Sequence, residues 1–515
     1  MLLALLCCLS LCPDTALATN VEDSLVVGIE SHKTVLIDPL NPLERDIMSV
    51  YDLVYESMVV VDDDYIPQPG LAESWEVTGG GKTWTFTLRE NITFSDGTPL
   101  TAKDVVATAQ HILDLARDDV TTNNGYYVNL KYFIADISAK GDNTVIVKTT
   151  DRPCFGLLYA MTFPVLPASQ VGKANPTGSG PYVITTFEAA DYIWLQANPN
   201  WWQTQPQVKE IMFLCHETPQ SVIQSYEYAQ VDTIFTRSIA AAQHKSGTSS
   251  LALDYRSNQL ETLLMNHSSF PLNSINVRKA IRLLVDPDKI AKQVYMGMVE
   301  RTDTPMIPGT WMYNDTLSDH FVTDVEAARE LLAADGWFDN DDDGILDKTG
   351  DDGKKKNLHL RIYVYEEPDN NVRVEAANLI ADMLRQVGIS TTIETMTLKA
   401  IREKLDKGSF DLALASFAMD TCPDPGFLLI SGNTGNYGRY RSSEMTELCR
   451  DLRKCVTRED YQATLMSIQA RFAEDCPFIC LYYRTGSVLT RRMYTTARDV
   501  RELELLRGIE TFHPQ

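Results

Sequence analysis

Two periodicities alternate along this chain, and their alternation narrows its fold more than any other feature. Thr83-Trp84-Thr85-Phe86-Thr87-Leu88 alternates in period two, which puts Trp84, Phe86 and Leu88 on one face of a strand. Ser24-Leu25-Val26-Val27-Gly28-Ile29 is a second strand, and residues 182–184 and 192–195 form two more around a polar bend. Over 372–387 the period changes. Ala376, Leu379, Ile380, Met383, Leu384 and Val387 recur at helical spacing, and Gly388 stands where a helix wants a left-handed C-terminal residue. Residues 389–393 and 411–416 return to strand, the second apolar enough to be buried. Further helices are predicted over 277–285, over 324–333, and from Thr101 or Lys103-Asp104 to Leu115, after an Asp96-Gly97 turn. Such alternation implies α/β or α+β layers and excludes a β-sandwich. No repeat of 20–50 residues marks a solenoid.

At 515 residues the chain holds roughly three or four units of ~100–200 residues, and its 44% hydrophobic content supplies a real core. The net charge of −24 excludes an extended phosphate-binding surface, and the longest basic run is only Lys354-Lys355-Lys356. No nucleic-acid partner is expected. Residues 1–13 carry no charge, and Ala16-Leu17-Ala18 offers a small-x-small cleavage site, so residues 1–18 read as a signal peptide cleaved near Ala18. The protein is then extracytoplasmic: secreted, periplasmic or associated with the cell surface. Cys7, Cys8 and Cys12 lack the preceding small residue of a lipid-anchor signal. Cys154, Cys215, Cys422, Cys449, Cys455, Cys476 and Cys480 remain, an odd set that cannot all pair internally, and buried free thiols are expected.

No motif for catalysis survives. There is no HExxH, no GxSxG, no SxxK beside Lys348-Thr349-Gly350 and no phosphate loop, and the eight histidines are scattered. One stretch has the logic of a metal loop. Asp339, Asp341, Asp343 and Asp347 fall at positions 1, 3, 5 and 9 of an EF-hand-like loop, with Gly344 at position 6. Gly350 stands at position 12, where a bidentate acid belongs, and Asp351 or Asp352 substitutes only with altered geometry. The loop is either a structural Ca2+ site or a solvated acidic turn.

The punctuation of the chain carries a resemblance. Pro69-Gly70-Leu71-Ala72-Glu73-Ser74-Trp75-Glu76-Val77 precedes Trp84-Thr85-Phe86-Thr87-Leu88-Arg89 and Phe94-Ser95-Asp96-Gly97-Thr98-Pro99-Leu100-Thr101-Ala102-Lys103-Asp104-Val105. Then come Gly178-Ser179-Gly180-Pro181-Tyr182, Asn198-Pro199-Asn200-Trp201-Trp202 with Pro206, Asn266, Val277-Arg278-Lys279-Ala280-Ile281 with Asp286, Ile307-Pro308 and Asp335-Gly336-Trp337. In this order, across roughly residues 25–485, the strings resemble the oligopeptide-, dipeptide- and nickel-binding solute-binding proteins of ABC importers.

The resemblance implies an α/β, two-lobed periplasmic-binding-protein-like fold, class II of cluster C type, with a third domain and a central cleft. Lobe one would combine 22–44, 180–262 and 485–515, the extra domain 45–179, and lobe two 263–484. Gly178, Gly180 and Pro181 would form a tight turn and hinge between lobes. The function implied is capture of a short peptide by a monomer, which delivers it to a membrane permease driven by an ATPase. No enzyme activity and no required cofactor follow. A nickel chelate or another small organic solute is the alternative, and a secreted calcium-dependent hydrolase a remote one. The relatives' ammonium-binding carboxylate maps to Asp420, three residues after Phe417, with Asp424 as its rival. Asn436 and Tyr437 complete the expected ligand-binding set.

Overall fold

A computed structural model describes residues 23–117, 126–245, 251–350, 353–367, 370–492, 494–495 and 499–514. The expected signal peptide lies outside these residues. The largest element is an 11-stranded mixed sheet. Its order runs Ser390–Met396, His359–Tyr365, Leu412–Ala418, Leu251–Met265, Phe478–Thr490, Thr233–Thr236, Ser24–Glu30, Glu210–His216, Tyr192–Ala197, Tyr182–Glu188, with Val299–Arg301 also paired to Phe478–Thr490. Two long strands hold the middle. Leu251–Met265 and Phe478–Thr490 pair antiparallel along most of their length. The register shifts between Arg256 and Leu260, so three residues of one strand face Arg484 alone, a bulge that bends and twists the pair.

One flank of the pair follows the predicted alternation. Helix Val372–Arg385 connects two parallel strands, His359–Tyr365 and Ser390–Met396, and buries Ala376, Ile380, Met383 and Leu384 under them. Gly388 takes φ +91°, the left-handed conformation its position predicts. Leu412, Ala413 and Leu414 are buried, as a parallel strand covered on both faces requires. A separate four-stranded antiparallel sheet orders Ala72–Thr78, Thr83–Leu88, Thr144–Thr149 and Ile134–Lys140 beside helix Ala102–Arg117. Trp84, Phe86 and Leu88 all face its core.

The motif strings turn out to be packing devices. Asn198 is fully buried; its Nδ2 donates to Gly180 O at 2.8 Å, and its backbone N donates to Pro181 O at 2.8 Å. Glu56 accepts from the indole nitrogens of both Trp201 (3.2 Å) and Trp202 (2.9 Å). Asn266 donates to Gly408 O and Phe410 O, while Arg278 gathers the carbonyls of Leu272, Asp475 and Cys476. Asp286 caps the helix Pro287–Gln293 through Lys289 N.

The expected tight turn at Gly178 and Gly180 is not what the chain builds. Neither glycine has positive φ. Both lie against the end of helix Arg45–Val54, and a Cβ on Gly178 would stand 1.9 Å from Val54 O. Gly180 N donates to that same carbonyl at 2.9 Å. Close approach of two backbones, not a turn, requires glycine here.

Asn198→Ala should therefore leave a buried carbonyl without its donor and cost about 1–3 kcal/mol. A lower urea midpoint for Asn198→Ala, with little change for the more exposed Asn200→Ala, is the expected result.

Candidate functional site

The strand Leu412–Ala418 ends at a loop that enters a cavity of about 330 Å³. The loop is fixed from behind, because Met419 N donates 2.8 Å to Asn258 O, a residue of the bulge. Asn258 N in turn donates 2.6 Å to Glu502, whose carboxylate also holds Arg45 and Arg237. Asn129, Tyr132 and Arg152 line one wall of the cavity, and 418–424 line the other.

Asp420 stands exposed in this cavity. Its carboxylate accepts from Asn129 Nδ2 across the gap at 3.0 Å and from Cys422 N at 3.2 Å. Among the described residues no Lys or Arg pairs with it. Asp424 is different: it accepts from Arg453 Nε at 2.6 Å and Nη2 at 3.3 Å, and from Gly426 N at 2.8 Å. Its charge is already neutralised and its oxygens are committed to the loop. The Phe417 ring is 9% exposed and lies nearly parallel to that of Tyr437, 6.3 Å between centroids, with Phe427 edge-on. Tyr437 is half-buried. Asn436 spends its amide within its own loop, donating to Ile430 O and Tyr440 O and accepting from Tyr440 N. Of the expected ligand-binding set, Asp420 and Asp424 line the cavity, and Phe417, Asn436 and Tyr437 are not among its lining residues.

A second cavity, of about 360 Å³, begins at Thr421, beside Asp420, and reaches Asp52, Tyr126, Trp202 and Arg507. Asp52 is open to this space yet set deep in the protein. Desolvation raises its carboxyl above the usual range, Glu504 adds repulsion, and Arg501 and Arg507 partly offset both. Asn129, Arg152 and Asp52 were not legible as site residues, since each becomes one only when distant segments meet.

The acidic loop assembles in part. Asp339, Asp341 and Asp343 bring carboxylate oxygens within 4.8 Å of one another, and Gly344 takes φ +81° as the loop position demands. Asp347 does not join them. It accepts from Asn340 Nδ2 at 2.9 Å and pairs with Lys355 at 3.3 Å, and Lys355 also pairs with Asp341. Lys355 thus bridges Asp341 and Asp347, and Asp351 and Asp352 lie outside the described residues. Three of the four expected carboxylates are grouped, and the fourth is engaged by Lys355.

Comparison with known proteins bears on the whole chain. A family model described as "Bacterial extracellular solute-binding proteins, family 5 Middle" matches residues 67–439. The oligopeptide-binding protein AppA of Bacillus subtilis is 24% identical over 93% of this chain and 90% of its own. The nickel-binding periplasmic protein of Escherichia coli is 25% identical over 76% and 74%. Among solved structures, HbpA2 from Haemophilus parasuis superposes with a TM-score of 0.81 at 19% identity, covering 96% of this chain and all 100% of that one. AppA from Bacillus subtilis with a bound nonapeptide gives 0.69 at 22% identity, over 96% and 99%. With the motif order, the sheet topology and a match across more than half its length in agreement, the chain belongs to the bacterial extracellular solute-binding proteins, family 5.

Proposed function

We propose that the chain is the extracytoplasmic solute-binding component of an ABC importer and that its solute is a short peptide bound by its free amino terminus. The observation that carries this reading is Asp420: a carboxylate at a strand end, facing a cavity, with only an amide opposite it. A peptide α-ammonium entering there gains a charge-assisted hydrogen bond whose strength rises as the walls close and water leaves. Arg453 neutralises the rival Asp424, which favours Asp420 as the anchor. Peptide backbone groups would be met in strand-like fashion beyond the anchor, with waters filling the side-chain space. The monomer would hand its solute to a permease and its ATPase, with no catalytic step of its own. The relatives that bind nickel keep a chelated metal as the second reading.

Short peptides with free amino termini should raise the melting temperature, by about 2.7 kcal/mol of stabilisation at a hundredfold excess over Kd. They should also shrink the radius of gyration in solution scattering. No shift of either with any peptide would sink the peptide reading.

Asp420→Asn keeps the shape and removes the charge. It should weaken free-amine peptides by about 2–5 kcal/mol in calorimetry. Amino-acetylated peptides should bind the parent poorly and respond little to the change. Asp424→Asn should instead lower stability, because it strands Arg453.

A further inference from the structure

Seven cysteines fall among the described residues, and all are free thiols. Two of them meet at a seam between distant parts of the chain. Cys154 follows the strand Thr144–Thr149 of the small sheet and is 1% exposed. Cys422 follows the strand Leu412–Ala418 of the large sheet and lines the cavity that holds Asp420. Both sulfurs lie close to Gly156. A Cβ placed on it would lie 3.1 Å from Cys422 Sγ and 3.3 Å from Cys154 Sγ, so the sulfurs are separated by no more than those two distances together. Cys422 Sγ also lies 3.9 Å from Gly156 O. Rotation of a cysteine side chain between staggered wells moves its sulfur by about 3 Å, so turning both side chains can bring the sulfurs to bonding distance.

The rest of the seam is non-covalent. Phe155 N donates to Cys455 O at 2.8 Å, and the Phe155 ring meets Trp311 and Tyr461 at 6.0 and 5.9 Å. Arg152 and Phe133 line one side of the adjoining cavity, and Met419, Asp420 and Cys422 line the other. Whatever parts those walls also parts this seam. Burial pushes the Cys154 thiol up to about 12 and the Cys422 thiol well above its ordinary value. Packed as here, both stay protonated and inert; parted, they regain ordinary thiol reactivity.

We propose that Cys154 and Cys422 form a reversible disulfide that ties the two walls of the cavity together. The oxidant is a disulfide, either a small-molecule one or that of an extracytoplasmic thiol oxidoreductase. With the seam parted, the Cys422 thiolate attacks one sulfur of the oxidant and expels a thiolate. As the seam closes, the Cys154 thiolate attacks Cys422 Sγ, forms the Cys154–Cys422 bond and expels the second thiolate. Two electrons pass to the oxidant, and the two thiol protons end on its two released thiols. An external dithiol reverses the sequence. The tie holds the cavity walls at one spacing, so exchange of solute with the surroundings slows. The identity of the solute does not enter.

The full chain, ligand-free, should be incubated with oxidised glutathione, alkylated under denaturing conditions and mapped by mass spectrometry. The expected product has lost two hydrogens and yields a peptide pair linking Cys154 to Cys422. Amide exchange over 152–160 and 419–424 should slow by about tenfold relative to the reduced chain, and dithiothreitol should restore it. Cys154→Ala and Cys422→Ser should each abolish the link and the slowing, whereas Cys455→Ser should keep both. The reduced and oxidised parent chains give the same comparison if a variant folds poorly. Glutathione adducts without the link, a link between other cysteines, or the link with unchanged exchange would each overturn the proposal.

Discussion

The structure depends on the pairing of two long strands, Leu251–Met265 and Phe478–Thr490. Strands of both flanks attach to this pair, and the loop bearing Asp420 follows directly from one of them. Its bulge is held on both sides. Asn258 gives its carbonyl to Met419 N and its N–H to Glu502, which ties the loop bearing Asp420 to the C-terminal segment through one residue. Close by, Glu261 is buried on one of the two strands. Burial alone would raise its carboxyl, but Arg373 and Arg484 outweigh it and hold the group below the usual range. Glu367 bridges the same two guanidiniums, so two acids and two bases close a ring. Such a set tolerates burial only while complete.

What the sequence shows is local, and its successes are local. The face made by Trp84, Phe86 and Leu88, the helix ending before Gly388 and the buried run at 412–414 all follow from spacing within a few residues. What it hides is long-range. Asp424 and Asp420 look alike until Arg453, 29 positions after Asp424, takes the first, and Asn129, 291 positions before Asp420, meets the second. Asp347 has the right place in a metal loop until strand pairing brings Lys355 to it. The glycines at 178 and 180 look like a turn because the Val54 carbonyl that excludes a side chain is far away in sequence.

Several residues in the strings that mark the family spend polar atoms inside the protein: Asn198 on Gly180, Asn266 on Gly408 and Phe410, and the indoles of Trp201 and Trp202 on Glu56. They fix where loops cross. The cavity walls draw on the same strings: Gly70, Leu71, Pro181, Trp201 and Trp202 line the second cavity with Tyr126 and Tyr127, and Ile307 lines the first with Asn129 and Asp420.

The continuity of the two central strands also sets how the molecule can deform. A connection made of loops swivels freely, and its ends lose their relative orientation. A ribbon of two paired strands behaves as a torsion spring: it bends and twists at its bulge while its ladder stays bonded on either side. Any displacement of one flank relative to the other must therefore pass through this ladder as twist, not as the free swivel of a loop.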